Sequence, residues 1–112
     1  MNRLLKFRVW DNVDYMSSPF TLQDVQERKI EFTPDCVVMQ FIGLFDKDGK
    51  EIFEGDIVSS GDKDSCVVEY VGDTFMRHVI RWDLRNQYYP FRSHHQYKII
   101  GNIFQNPELL NL

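Results

Sequence analysis

Short runs of alternating apolar and polar residues dominate the chain and predict β-strands. Residues 5–10 alternate apolar and charged side chains until Trp10, which is typical of a half-buried strand. Runs of β-branched and aromatic residues between turn signals predict further strands. These cover residues 37–45, 51–53, 57–58, 66–71, 74–83 and 97–104.

The two longest predicted strands differ in their pattern. Residues 37–45 are apolar at nearly every position, which predicts a central strand buried on both faces. Residues 74–83 alternate instead. That alternation predicts a core face with Met76 and Ile80 and an exposed face with Arg77 and Arg81.

Turn signals separate several of these strands. Asp48-Gly49 predicts a tight hairpin with a positive φ at Gly49, because aspartate and glycine tolerate that conformation. Residues 72–73, Gly-Asp, predict a second two-residue hairpin. Residues 84–95 are aromatic and basic and are predicted to form a loop.

Helical signals are confined to two short segments. Thr21 can cap a helix over about residues 22–28, with Asp24 at the capping-box spacing. Asn106-Pro107-Glu108 predicts a terminal helical turn within residues 105–112, with Asn106 as N-cap. With little helix and no strand–helix alternation, the chain is predicted to be mainly β, as a small barrel or sandwich.

Composition adds limits to this architecture. A chain of 112 residues fits one domain, and 43% hydrophobic with 14% aromatic residues exclude a disordered chain. Cys36 and Cys66 lie beside apolar residues and are interpreted as reduced strand thiols. The first ten residues lack an uninterrupted apolar run, and no longer segment could span a membrane, so we expect a cytoplasmic protein.

Three motifs lie near the start, in the middle and near the end of the chain: KFRVWD at residues 6–11, MQFIGLFDKDGKEIFEGDIV at residues 39–58 and IIGNIFQNPELL at residues 99–110. They resemble the opening, core and ending motifs of the phage YopX family. The chain departs from the family at residues 12–35 and 84–96, where the family also varies in length.

This resemblance implies a bacteriophage or prophage protein of a family without an assigned activity. It implies an SH3-like β-barrel over residues 37–104, after an N-terminal extension at residues 1–36 and before a short helical turn at 105–112. It carries over no catalytic residue. We therefore expect one YopX-like domain over residues 1–112 that is not an enzyme.

No metal-binding pattern stands out. The acidic residues between 46 and 56 fail the EF-hand spacing, because glycine comes too early and Ile57 occupies the glutamate position. We interpret them as solvated hairpin charges. The possible zinc ligands Cys36, Cys66, His94 and His95 have no recognised spacing. No metal, cofactor or catalytic residue is predicted.

Charge is distributed unevenly along the chain. Residues 1–75 carry 8 Lys/Arg against 15 Asp/Glu, a net charge of −7. Residues 76–98 carry 5 Lys/Arg against 1 Asp, a net charge of +4. We call residues 76–98 the basic aromatic segment, because tyrosine, tryptophan, phenylalanine and histidine lie between its arginines.

Arginine interleaved with aromatic rings is typical of protein interfaces and of single-stranded nucleic-acid platforms. A protein partner, which can be a second copy of the chain, is favoured over nucleic acid, since −7 elsewhere would repel a polyanion. An ordinary arrangement, with the rings in the core and the arginines in solvent, is an open alternative. The candidate surface comprises Arg77, Arg81, Arg85, Tyr88, Tyr89, Phe91, Arg92, His94 and His95.

Overall fold

A computed structural model of the chain describes residues 5–61, 65–71, 74–79, 87–91 and 94–110, with the backbone alone for 70, 71, 74–79 and 87–90. One α-helix, α1, spans Leu22–Gln26, and two 3₁₀ turns span His94–Gln96 and Pro107–Leu110. The strands are β1 (Phe7–Trp10), β2 (Val37–Phe45), β3 (Glu51–Phe53), β4 (Asp56–Ser59), β5 (Cys66–Val71), β6 (Thr74–Val79), β7 (Gln87–Pro90) and β8 (Lys98–Asn102). No helix among these residues is long and apolar enough to cross a membrane.

The described strands form two antiparallel sheets, which confirms the mainly β prediction. The first sheet has the order β1-β2-β3, and the second has the order β7-β6-β5-β4-β8. The described strands do not form the closed barrel that was expected over residues 37–104. β2 pairs with both β1 and β3, so residues 37–53 belong to the first sheet and the N-terminal strand is part of the fold.

Gly55 joins the two sheets. Its N–H donates to the carbonyl of Val68 (2.9 Å), and its own carbonyl accepts from the N–H of Ile103 (2.9 Å). Its φ is +86°, and a Cβ there would lie 3.3 Å from the Met39 sulfur. Glycine is therefore required both by the backbone conformation and by the close approach of the two sheets.

The main core lies between the sheets. It joins buried residues of both sheets and of the segment before β8: Ile42, Ile52, Val58, Cys66, Val68, Phe91 and Tyr97. Cys36 and Cys66 are both thiols without a disulfide, and Cys66 lies in β5 as predicted, whereas Cys36 immediately precedes β2.

β2 has the predicted bounds but not the predicted burial. Met39, Phe41 and Ile42 at its centre are no more than 5% exposed. Val38 and Phe45 near its ends are 50% and 46% exposed. The prediction of burial on both faces holds only at the centre, because a strand of nine residues extends beyond the elements that cover it.

The helical predictions are confirmed with small changes. Thr21 caps α1, and Asp24 completes the capping box by accepting from the Thr21 N–H. The C-terminal turn forms at Pro107–Leu110. Asn106 has an additional role, since its Oδ1 accepts from the N–H of Asn102 (3.1 Å) and ties the turn to β8.

The segment predicted as a loop at residues 84–95 contains a strand. The backbone of β7 pairs with β6, with Tyr89 opposite Arg77 and Tyr88 opposite His78. Tyrosines favour strands, but Gln87 and Pro90 at the two ends of β7 do not, and the sequence pattern therefore did not predict this strand. Residues 72–73 and 80–83, part of the predicted hairpin and strand, lie outside the described residues.

The Asp48-Gly49 hairpin forms with φ of +82° at Gly49, and a Cβ there would meet no atom within 4 Å. We expect Gly49→Val to destabilise the fold by about 1–3 kcal/mol, because a β-branched residue is strained at positive φ. Gly49→Asn is the matched control, since asparagine tolerates this conformation. Chemical denaturation of both variants measures the difference. Equal midpoints for Gly49→Val and wild type would contradict this account of the turn.

Candidate functional site

Asp46 and Asp56 of the hairpin region are structural, and the prediction that the acidic residues here are solvated is wrong for these two, whereas Asp48 is exposed. Asp46 is 5% exposed. Its Oδ1 accepts from the N–H groups of Asp48 and Lys50 (both 2.9 Å), and its Oδ2 accepts from the N–H of Ile99 (3.0 Å). Burial works to raise the pKa of Asp46, but these three donors outweigh it, and the pKa lies below its ordinary value. Asp46 therefore holds the hairpin against β8 as a carboxylate.

Asp56 joins the two sheets through a buried ion pair. Arg8 Nη2 donates to Asp56 Oδ1 (2.7 Å), and the N–H of Phe53 donates to Oδ2 (2.8 Å). The guanidinium also lies over the Phe53 ring, 4.9 Å from its centroid. Burial raises the pKa of Asp56 above its ordinary value, although Arg8 and the Phe53 N–H act in the opposite direction. Both Asp56 oxygens are occupied by structural bonds.

Glu51 and Glu54 are held in the same way. Glu51 pairs with Lys6 of the first strand region. Glu54 Oε1 accepts from the N–H of Gln40 (2.8 Å). Among the described residues there is no group of three His, Cys, Asp or Glu side chains placed to hold a metal ion.

The described part of the candidate surface divides into separate places. Phe91 is 5% exposed and packs edge-on against Tyr97 in the main core. His94 Nδ1 donates to the carbonyl of Phe45 (2.6 Å), and the exposed His95 packs against the His94 ring. Arg81, Arg85 and Arg92 lie outside the described residues.

The backbones of the other three candidates lie in the second sheet. Arg77 of β6 pairs with Val68 of β5 and with Tyr89 of β7. The side chains of these candidates, and with them the predicted exposed face of Arg77, lie outside the described part of the structure.

Tyr88 of β7 pairs with His78 of β6, which pairs with Val67 of β5. Val67 is buried and lines a groove that the sequence analysis did not predict.

The groove is an open apolar cleft of about 290 Å³ between the start of β2 and the second sheet. We call it the β2 groove. Val38 is half exposed on its rim, and Phe104, stacked on Trp10 at 5.9 Å, forms part of its wall. Its lining residues are Val37, Val38, Met39, Glu54, Gly55, Val67, Val68, Glu69, Ile103 and Phe104.

The charged lining residues of the β2 groove are both glutamates, Glu54 and Glu69. A second, larger cleft of about 490 Å³ lies near Arg8, Lys50 and Ile99. Most of its charged groups already pair within the fold, as Arg8 does with Asp56 and Glu51 with Lys6. The β2 groove, with apolar atoms open to solvent, is therefore the better candidate for binding.

Most of the chain matches a known protein family. The family model described as "YopX protein" matches residues 12–111. This range includes the core and ending motifs and begins just after the opening motif. No curated protein matches the chain.

A structural relative covers almost the whole fold. The crystal structure of protein EF1440 from Enterococcus faecalis matches with a TM-score of 0.62 and 25% sequence identity. The match covers 97% of this chain and 99% of that one. The two-sheet arrangement is therefore similar to one observed in a crystal.

Proposed function

This chain belongs to the YopX family, and we propose that it is a non-enzymatic protein-interaction module. The observation that carries the proposal is the β2 groove, in which apolar side chains stay open to solvent between two well-packed sheets. A phage or prophage accessory role in the cytoplasm of a bacterial host is part of the same proposal, and it rests on the family resemblance.

Exposed apolar surface at the groove supports a protein partner. Val37 and Val38 are 36% and 50% exposed on adjacent positions of β2. Contiguous apolar surface bordered by polar residues marks binding sites more often than isolated exposed residues do. Here the border includes Glu54 and Glu69, so the chemistry of the groove suits an apolar or aromatic segment that carries positive charge.

The buried acids support a role other than catalysis. Asp46 and Asp56 have the burial that active-site carboxylates often show. Both accept hydrogen bonds from backbone N–H groups or from a guanidinium. These hydrogen bonds join separate elements of the fold. Their positions serve the cohesion of the fold.

The second sheet has features that support an SH3-like unit of open form. Its last strand, β8, pairs with its first strand, β4, and the order from β4 to β7 is sequential. The 3₁₀ turn His94–Gln96 immediately precedes β8. We propose this assignment for the sheet from Asp56 to Asn102, which is shorter than the range implied by the sequence resemblance.

Binding experiments with matched variants test the proposed function. Val38→Lys places a charge on the rim of the groove, and Val13→Lys places the same charge on a valine that is 78% exposed and absent from its lining. We expect a host or phage protein to be captured by wild type and Val13→Lys but lost by Val38→Lys. Equal capture by all three proteins would contradict a docking role for the groove.

The alternative, nucleic-acid binding by the basic aromatic segment, makes a different prediction. Oligonucleotide affinity would fall steeply with salt, because phosphate contacts release counterions. The affinity for an oligonucleotide would also be unchanged or increased by Val38→Lys. Anisotropy titrations with single- and double-stranded oligonucleotides at two salt concentrations distinguish this outcome from protein binding.

A further inference from the structure

We propose that the β2 groove binds an extended segment of another protein, which adds a strand to the first sheet beside Val38. The segment carries an apolar or aromatic side chain next to lysine or arginine. The inference rests on the proposed function and deepens it, since it names how the partner of the same groove is held. Strand addition through main-chain hydrogen bonds is a recurring mode of peptide recognition.

The first observation is the direction of the Val38 backbone. The Phe41 N–H donates to the Lys6 carbonyl (2.8 Å), so the backbone groups of Phe41 point towards β1. Because these groups alternate in direction along a strand, those of Val38 point away from β1. Val9, opposite Val38 in β1, likewise turns its backbone away. Its N–H donates to the Ser17 hydroxyl, and its carbonyl accepts from the Ser17 N–H (both 2.9 Å).

The second observation is where the pairing between β2 and β3 ends. The Glu54 N–H donates to the Gln40 carbonyl (2.9 Å), but the Gln40 N–H donates to the Glu54 side chain, at Oε1 (2.8 Å). Gly55 then directs the chain into the second sheet, where its N–H donates to a β5 carbonyl. Within the described residues, the N–H and C=O of Val38 therefore have no hydrogen-bond partner. Residues 37–39 also lack the proline or charge that protects many strand edges.

The third observation is the chemistry of the surface beside this edge. Side chains alternate along an extended strand, so a segment paired with Val38 would place some of its side chains in the groove. The groove has apolar walls, which include Phe104, and its charged residues are Glu54 and Glu69. The Glu54 carboxylate lies next to the edge itself, since it accepts from the N–H of Gln40. An apolar or aromatic residue next to lysine or arginine is complementary to both features.

Charge distinguishes this occupant from two others. Two copies of the chain joined edge to edge at Val38 would bring two acidic grooves together, and like charges across an interface oppose association. Nucleic acid, a polyanion, would meet the two glutamates of the groove. A basic extended segment is the occupant whose charge suits the groove.

Amide hydrogen exchange followed by NMR tests whether the edge is free. The Val38 N–H should exchange rapidly, because it has no partner within the described residues. The N–H groups of Gln40 and Phe41 are the controls in the same strand, and their hydrogen bonds should protect them. A Val38 N–H that is protected as well as these two in the free protein would overturn the proposal.

A synthetic peptide tests the strand addition. The probe is acetyl-Lys-Thr-Phe-Val-Lys-amide, which should shift the Val38 and Phe104 signals of the full chain saturably and slow exchange of the Val38 N–H. The same peptide with glutamate in place of both lysines should bind about tenfold or more weakly. Val38→Pro, which removes the N–H, should bind the basic peptide about tenfold or more weakly than Val38→Thr. Val38→Thr is the matched control, because it keeps the N–H and a similar shape.

Backbone N-methylation of the peptide separates strand pairing from simple burial of an apolar side chain. Only alternate residues of an added strand can pair with Val38. N-methylation at the phenylalanine or at the valine of the peptide keeps every side chain. We expect one of these two peptides to bind wild type about tenfold or more weakly, and the other to bind nearly as well as the unmethylated peptide. Equal affinities of all three peptides, or no saturable binding of the basic peptide, would overturn strand addition.

The outcomes also separate this inference from the proposed function. A protein captured by wild type and by folded Val38→Pro, but not by Val38→Lys, would leave the interaction role in place and overturn strand pairing. Wild-type dimers that Val38→Pro abolishes would assign the edge to a second copy and overturn the proposed partner. If Val38→Pro does not fold, the methylated peptides decide the question on wild type. Equal capture by wild type, Val13→Lys and Val38→Lys contradicts the proposed function itself.

Discussion

Replacing Asp56 with alanine is expected to lower the free energy of unfolding by about 3–5 kcal/mol. The change leaves the Arg8 guanidinium without its carboxylate and the Phe53 N–H without its acceptor, in a site where Asp56 is 1% exposed. A buried charge that has lost its partner is among the costliest single changes in a protein. Urea denaturation followed by circular dichroism measures the loss.

Two comparisons make this prediction specific. Glu27→Ala removes an exposed ion pair with Lys29 and should change stability by less than about 0.5 kcal/mol. Arg8→Met combined with Asp56→Leu should recover much of the loss, because it removes both buried charges together. This recovery is expected because Arg8 Nε has no hydrogen-bond partner among the described residues, so the native pair is imperfectly satisfied. A double variant as unstable as Asp56→Ala would refute the charge explanation.

Replacing Asp46 with alanine is expected to cost about 2–4 kcal/mol. Three backbone N–H groups lose a charged acceptor. Hydrogen bonds to a charged group contribute about 1.5–3 kcal/mol each. In the variant, water replaces part of these bonds. Asp48→Ala is the control, because Asp48 is exposed and its pair with Lys98 is long at 3.9 Å. Similar stabilities for the two variants would contradict the structural role of Asp46.

The cost of Asp46→Ala should also depend on pH. The folded-state pKa of Asp46 lies below its ordinary value of 3.8. Its stabilisation is therefore fully present above about pH 4 and is lost as pH falls through the folded pKa. The difference between wild type and variant should stay constant from neutral pH to about pH 5 and narrow only in stronger acid. A difference that narrows already between pH 7 and pH 5 would contradict this assignment.

Local signals predicted much of the secondary structure. The capping box at Thr21 and the hairpin at Gly49 depend on residues close in sequence, and both form as expected. The bounds of β2 follow from its apolar run. Such features are decided within a few residues, where side-chain chemistry and backbone conformation are directly linked.

Pairing between distant segments could not be predicted in the same way. β1 pairs with β2 although the rest of the N-terminal segment separates them along the chain. Because β2 also pairs with β3, residues 37–53 belong to a separate sheet. Likewise, the sequence predicted a loop at residues 84–95, but the backbone of β7 pairs with β6 in that segment. Register depends on partners that periodicity does not identify.

The burial of single acidic side chains could not be predicted from the sequence either. Asp46 and Asp56 resemble solvated hairpin charges in the sequence, because glycine and lysine surround them. Their burial follows from Ile99 and Arg8, which lie 53 and 48 residues away along the chain. The β2 groove was missed for a related reason, since its walls come from β2, β5 and the segment after β8.

Methyl NMR of Val38 and Val13 tests the central claim most directly. The claim is that the β2 groove is a docking surface for a protein partner. The methyl signals of Val38 should shift when a captured partner is added, whereas those of the exposed Val13 should not. Signals of Val38 that stay fixed while those of Val13 or the α1 region shift would place any contact elsewhere and contradict the account.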